Sequence, residues 1–459
     1  MTKKQIHFNG FIQNSPSPYS SGLWKHERDT GTNHNGLKYW INIAQTLERG
    51  KFDSVFIADV LGAYNVYNNS YDTAVKHAVQ LPSHEPTAII SAMAAFTEHI
   101  GFTPTISTTY AHPYSLARQL STLDHLTQGR MGWNVVTSYL ESEAVNLGFK
   151  QRLSKEERYN RADEFLEVAY KLWEDSWEEG AVVKDKVNDT YAEPNKVHDI
   201  HHQGEYFDIS GPHLVEPSRQ RTPVLFQAGA SEKGKAFAAK HAEAVFTKHS
   251  SLNELKTYIK DMEKRTIQYG RKKGDILVYP MVLPIIGKTE AEAYEKYEKL
   301  KSYVSHEGVA TLLSGHTGID FSSIDPDEYV ENIETGAIQV DLDYYAKDPT
   351  HKWTFKEALQ NHCIGNGAVK FIGTKEHVAD QFEKWAIEGG AAGFNITQGY
   401  SPGTFEELID EVVPILQSKG LYRLDYEGET LREHLYGKGN QRIKAMHPAK
   451  NNNSHTIKV

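Results

Sequence analysis

The feature that most constrains this chain is a regular alternation of strand-like and helix-like segments, beginning near residue 6 and resuming after each interruption. Strand-like runs lie at 6–12, 54–60, 101–108, 131–137, 222–229, 244–249, 276–286 and 393–398. Helical periodicity falls between them at 37–49, 86–98, 113–126, 156–173, 232–241, 252–269, 375–388 and 405–418. Eight such units in order predict an α/β protein in which eight parallel strands close into a (β/α)8 barrel. Hydroxyl-x-x-carboxylate starts at Ser154/Glu157, Ser251/Glu254, Thr289/Glu292 and Thr404/Glu407 mark helix N-termini in that register.

Three insertions interrupt the pattern, at about 61–82, 174–221 and 301–370. The second reads as short strands and turns, and the third as a lid over the barrel mouth. Residues 1–437 are expected to form a single barrel domain, followed by a polar tail at 438–459 that is loose or docked on a partner. With 459 residues, 39% of them hydrophobic, the chain has enough apolar material for one elaborated domain. A net charge of −10 excludes nucleic acid as an expected partner, and no apolar run approaches a membrane span. The N-terminal Met1 to His7 leads into a strand rather than a signal-peptide core, and Cys363 is the single cysteine, so the expected location is the cytoplasm. His198, His201 and His202 raise the question of a metal, but their spacing lacks a supporting carboxylate or helical face, and no metal is expected.

Chemistry in such a barrel belongs at the C-terminal strand ends, and those ends here are polar. They carry Asp59, Thr105 and Ser107, Asn134 and Thr137, Gly229 to Ser231, His249, and Gln398. The run Gly129 to Ser138 is a buried strand delivering Asn134, Thr137 and Ser138 to the rim. Val224 to Ser231 followed by Glu232 to Ala239 is a strand, a small-residue turn and a helix N-terminus, which suits either a phosphate or a simply capped helix.

Taken together these segments resemble the bacterial-luciferase-like flavin monooxygenases, in the branch of nitrilotriacetate, dibenzothiophene-sulfone and long-chain alkane monooxygenases. The resemblance is carried by Leu47 to Asp59, Ser107 to Tyr114, Leu123 to Ser138, Glu157 to Tyr159 with Arg161 to Glu167, Gly211 to Pro217, and Gln227 to Ser231. It implies a two-component enzyme that takes reduced FMN from a separate NAD(P)H:flavin reductase and uses O2 to oxygenate a small organic substrate. It also implies a homodimer or homotetramer. No G-x-G-x-x-G follows a strand, in keeping with an external reductase.

Carried over by position, Tyr159 and Ser231 with Ala230 serve the FMN phosphate, Asp59 and Thr105 the ring, and Asn134 the adjacent strand tip. Lys155 stands where some relatives carry a flavin-contacting histidine. Asp72 to Pro82 and Gly420 to Tyr426 resemble the alkane branch, whereas Ser314 to Ile319 resembles the sulfone branch. Tyr139 replaces a histidine of the alkane enzyme, and His316 lies in the third insertion; these two are the candidate catalytic side chains. Two other readings stay open on the residues alone: an FMN- or deazaflavin-dependent hydride-transferring oxidoreductase, and a non-catalytic flavin-binding protein.

Overall fold

Short runs of β-branched and aromatic residues, most of them buried on both faces, form the strands of a parallel sheet in the computed structural model. It describes residues 5–16, 20–229, 231–333, 343–346 and 351–450. The strands are β1 (His7–Gln13), β2 (Ser54–Ala58), β3 (Gly101–Ser107), β4 (Gly132–Val136), β5 (Val224–Gln227), β6 (Ala244–Thr247), β7 (Leu277–Ile286), β8 (Val369–Gly373) and β9 (Gly393–Ile396). Pairing runs β1–β2–β3–β4–β5–β6–β7–β9 and returns to β1, all parallel, so eight strands close into a barrel. All eight strand-like segments of the sequence are in that ring.

The ninth strand was not expected. β7 is ten residues long; its first half pairs with β6, Met281 and Val282 pair with β9, and Val282 to Ile286 pair with β8 outside the ring. β8 lies at the end of the third insertion, where the half-exposed Val369 and Lys370 hide its strand character.

The outer layer uses the helices α1 (Leu37–Arg49), α2 (Pro113–Leu126), α3 (Lys155–Tyr170), α4 (Glu232–His241), α5 (Leu252–Gln268), α6 (Glu290–Tyr303), α7 (His306–Thr317) and α8 (Lys375–Ile387). Ser154, Ser251 and Thr289 accept the backbone N–H three residues on, as their spacing predicts. Thr404 does not cap: it sits inside the helix Gly403–Glu407, and its Oγ1 accepts from the Gly399 and Tyr400 N–H groups, tightening the turn after β9. That helix continues to Ser418 through a wide turn at Leu408–Val412, in keeping with Pro414, which cannot donate to the ladder.

The helix expected at 86–98 shortens to Ile90–Ala94. The Glu85 carboxylate takes the Ala88 N–H and the Thr87 hydroxyl, and Glu48 Oε1 accepts from the N–H groups of Glu98, His99 and Ile100, so side chains hold both ends in turns.

Two core regions follow from the closure. Between barrel and helices lie Phe8, Trp133, Phe165, Phe382 and Phe394, while Phe11, Phe56, Phe226, Tyr279 and Met281 pack together in a second cluster. The N-terminal end of the barrel is plugged by Leu431, whose methyls fill the space left by the missing side chains of Gly101 and Gly132. Beside it Arg432, 1% exposed, binds both Glu243 oxygens and the Thr222 carbonyl. Removing one partner of such a buried pair costs about 3–5 kcal/mol.

The tail, expected to be loose or docked on a partner, packs on its own barrel as far as Lys450. His447 donates through Nε2 to the His241 carbonyl at 2.8 Å, Ala449 is buried, and Lys450 pairs with Glu174. Residues 451–459 lie outside the described residues. The second insertion forms two small hairpins, Val182–Asp185 with Thr190–Ala192 and His202–Gln203 with Asp208–Ile209. Its histidines diverge: His198 meets Glu178, His202 meets Glu164 and Lys171, and His201 is exposed.

Candidate active site

Three groups of polar side chains meet the C-terminal rim of the barrel. The first is built where β5 runs into α4. Gly229 and Gly234 approach so closely that a Cβ on Gly234 would lie 2.9 Å from the Gly229 Cα, and the same Cβ would lie 2.9 Å from the Tyr159 hydroxyl. Only hydrogen at both positions lets the turn fold back onto the helix. Ser231 caps α4, its Oγ accepting from the Gly234 N–H at 3.2 Å. The Tyr159 hydroxyl, delivered by α3, reaches the same turn, and burial raises its pKa while the neighbouring Ser231 and Thr137 side chains act in the opposite direction. Hydroxyls from three elements therefore converge on one helix N-terminus, the natural place for an anion.

Charge around this turn is arranged to leave it open. Glu232 turns to Arg265, 2.6 Å away on α5, and Lys233 to Glu156 on α3 at 2.8 Å. Lys155 is exposed on the first turn of α3, one helical turn before Tyr159. Ala230 lies outside the described residues.

The second group lines the barrel. Thr105 and Asn134 are register partners on β3 and β4, and the Asn134 Nδ2 donates to Thr105 Oγ1 at 2.9 Å. Asn134 is 4% exposed and its Oδ1 has no hydrogen-bond partner; the same is true of Gln227 Oε1 at the end of β5. Unmet acceptors this deep are costly unless something donates to them. Above them Ser138 donates to Ser107 at 2.7 Å.

The third group is the rim itself. Asp59 follows β2, half-buried, with the Ser83 hydroxyl at 3.4 Å, and burial pushes its carboxyl up to about 6. Glu143, 1% exposed, accepts the Leu61 and Tyr139 N–H groups at 3.0 and 3.2 Å, tying the loop after β2 to the loop after β4. The tie brings Tyr64 and Tyr139 into a hydroxyl–hydroxyl hydrogen bond. His316 on α7 stands edge-on to both rings, at centroid distances of 5.9 and 5.5 Å. Gly315 makes that approach possible, since a Cβ there would overlap the Tyr64 ring at 2.2 Å.

Thus the structure brings Tyr159 and Ser231 together, Thr105 and Asn134 together, and Tyr139 and His316 together, while Lys155 stays on the surface. Sequence reasoning missed Tyr64, Glu143 and the Gly229/Gly234 contact. Tyr64 sits in Leu61-Gly-Ala-Tyr64, which carries no motif, and only the fold places it opposite Tyr139. His249 on the rim is drawn inward instead, its Nε2 2.7 Å from the Thr247 hydroxyl, and burial pushes its pKa down to about 4.

A closed β/α barrel with its polar groups gathered on the C-terminal rim defines an enzyme whose chemistry is built on the strand-to-helix loops. The luciferase-like monooxygenase family model matches residues 20–392, and the chain belongs to that family. It is 47% identical over 449 residues to the long-chain alkane monooxygenase of Geobacillus thermodenitrificans (strain NG80-2), covering 98% of each chain. It is 43% identical over 448 residues to the dimethyl-sulfide monooxygenase of Hyphomicrobium sulfonivorans, covering 97% of this chain and 93% of that one. Among solved structures it is similar to a riboflavin lyase with modified FMN and riboflavin, with a TM-score of 0.90, 32% identity, and coverage of 98% of this chain and 99% of that one. The protein is accordingly a monooxygenase. Among the described residues no helix is long and apolar enough to cross a membrane.

Proposed function

We propose that this monooxygenase works with reduced FMN delivered by a separate NAD(P)H:flavin reductase in the cytoplasm, and that it oxygenates a small organic molecule as a homo-oligomer. The observation that carries the reading is the convergence of Tyr159, Thr137 and Ser231 on the first turn of α4 around the Gly229/Gly234 contact. That cradle fits a phosphate monoester, and the unmet acceptors of Asn134 and Gln227 fit a ring that carries N–H donors. The FMN named with the riboflavin lyase supports the same cofactor.

Bound reduced flavin supplies the electrons and the reactivity toward O2 that no side chain provides. The chain's own work is binding, orientation and exclusion of water. Tyr159 and Ser231 hold the phosphate, Ala230 with them; Thr105, Asn134 and Asp59 orient the ring; Lys155 adds positive charge at the entrance. The Glu143 tie fixes Tyr139, and His316 with Tyr139 and Tyr64 forms a polar edge from which a proton is held or passed beside the reacting carbon or sulfur. α7, packed against both tyrosine rings through Gly315 and His316, shields this edge from water.

A reductase-coupled screen of alkanes, thioethers, sulfones and aminopolycarboxylates under 18O2 tests the proposal. One labelled oxygen atom in the product is the expected result. NADH consumption that yields peroxide alone with every substrate class, or product without label, contradicts it.

A further inference from the structure

Past the C-terminal end of β1, three segments without a part in the cofactor assignments pack together at the barrel mouth. Asn14 continues β1; its carbonyl accepts the His84 N–H at 2.8 Å, and its Nδ2 donates to the Glu85 carbonyl at 3.2 Å. The turn Gly31–Asn33 lies on the same segment, since a Cβ on Gly31 would fall 2.6 Å from the Pro16 carbonyl oxygen. His34 follows that turn, its N–H donating to the Gly31 carbonyl at 3.0 Å and its own carbonyl accepting the Trp40 indole N–H. Residues far apart in sequence thus set two imidazoles side by side: the ring centroids of His34 and His84 are 4.8 Å apart, with 44° between the planes.

Hydrogen bonding does not account for the pair. His34 is 6% exposed, and neither of its ring nitrogens has a hydrogen-bond partner, so the two rings meet without bonding to each other. Burial holds the His34 imidazole below the ordinary histidine range, with His84 acting in the same direction and the backbone of Gly31 and Thr32 against it; at neutral pH the ring keeps a free lone pair. His84 is exposed, which opens the pair to solvent. Carboxylates stand close by: Glu85 adjoins His84 in the chain, the Ser83 hydroxyl reaches Asp59 at 3.4 Å, and Asp29 accepts the Gly31 N–H at 2.8 Å. Their charge favours a cation here over an anion.

Imidazole nitrogen selects the kind of cation. It suits zinc, copper and nickel, whereas magnesium and calcium take oxygen ligands. With metal–nitrogen bonds of about 2.0–2.1 Å, two imidazoles on a tetrahedral ion have centroids roughly 5 Å apart, which the observed 4.8 Å matches. We infer that His34 and His84 form a two-histidine site for a divalent transition-metal ion, with water in its remaining positions. Among the described residues no group of three or more His, Cys, Asp and Glu side chains is placed to hold a metal, so this site is of the open kind that exchanges its ion with solution. A bound ion ties the loop at Ser83 to Glu85 onto the His34 turn, next to Asp59, and steadies that side of the mouth. The inference is independent of the flavin reading and adds a second ligand class to the chain.

Equilibrium dialysis of the tag-free full chain against Ni2+, paired with thermal unfolding with and without the ion, tests the site. Wild-type protein is expected to bind a Ni2+ ion that raises its unfolding temperature by several degrees, while Mg2+ leaves that temperature unchanged. His84→Ala is expected to bind this ion about tenfold or more weakly, since losing a ligand costs at least as much as losing a ligand's supporting partner. It should also lose the thermal response. His34→Asn is expected to do the same; should it fail to fold, His84→Ala, which alters an exposed side chain, decides the matter alone. His201→Ala, at an exposed histidine of the second insertion, is expected to match wild type in both measurements. Absence of Ni2+ binding by wild-type protein overturns the inference, as does undiminished binding by folded His84→Ala or an equal loss in His201→Ala.

Discussion

Asn134 donates its Nδ2 to Thr105 Oγ1 across the β3–β4 pair at 2.9 Å, and leaves its own Oδ1 buried without a partner. A side chain that is half satisfied inside a barrel is better explained by a ligand than by packing. Asn134→Leu removes the orphaned acceptor, so the stability of the cofactor-free protein is expected to stay within about 1 kcal/mol of wild type. FMN affinity is expected to fall about tenfold. Urea unfolding and FMN titration of the same variant check the two halves; a large stability loss with unchanged FMN affinity would make Asn134 structural.

Asp59 sets a pH dependence. Burial, with the Glu85 and Glu143 carboxylates adding to it, raises its carboxyl to about 6. The carboxylate therefore exists above pH 6 and is neutralised below it. If its charged form accepts from the flavin ring, affinity for reduced FMN should decline below pH 6, and Asp59→Asn should be weak and flat across that range. An acid limb that persists unchanged in Asp59→Asn would remove Asp59 from cofactor binding.

His213, by contrast, titrates with folding. Burial pushes its pKa down to about 4, with the neighbouring His125 acting in the same direction, while its Nε2 lies 3.0 Å from the Ser121 hydroxyl. A depressed histidine contributes stability that is present above its unfolded pKa near 6.5 and is lost as pH falls toward the folded value. Between pH 6.5 and 4 the wild-type protein should lose up to about 3 kcal/mol more than His213→Gln. Parallel stability curves for the two proteins would show that His213 is not protonated on unfolding.

Much of this architecture is written in the chain. The strand ends at Asp59, Thr105, Asn134 and Ser231 are legible because a parallel barrel demands short apolar strands and sends polar residues to one rim. The α4 cap is legible because Ser231 precedes a helical run. Tyr64 and Gly315 are not, since their contact joins residues that neither periodicity nor a motif relates, and it depends on the path of two insertions. β8 was hidden for a related reason: it pairs outside the closed ring and lacks the burial on both faces that marks the other strands. Thr404 shows the limit of a spacing rule, because its hydroxyl has a tighter turn to hold than the one the pattern names.

His316, on α7, stands edge-on to Tyr64 and Tyr139, and α7 is an element other than the β5–α4 turn assigned to the cofactor phosphate. His316→Ala is therefore expected to lower product formed per NADH consumed and to raise peroxide release several-fold, with FMN affinity unchanged. Wild-type coupling in this variant, measured on a substrate from the labelled-oxygen screen, would return His316 to a packing role.

In the proposed reading the α4 turn holds the FMN phosphate, and the ring contacts of Thr105, Asn134 and Asp59 favour the reduced form, so that the cofactor arrives reduced and leaves after turnover. Anaerobic titration of the wild-type protein with reduced and oxidised FMN, repeated with Tyr159→Phe and Ser231→Ala, measures this directly. Tighter binding of the reduced form is expected, and roughly tenfold weaker binding in each variant from loss of one hydrogen bond to a charged phosphate. Equal affinity for both oxidation states, together with undiminished binding by both variants, would contradict it.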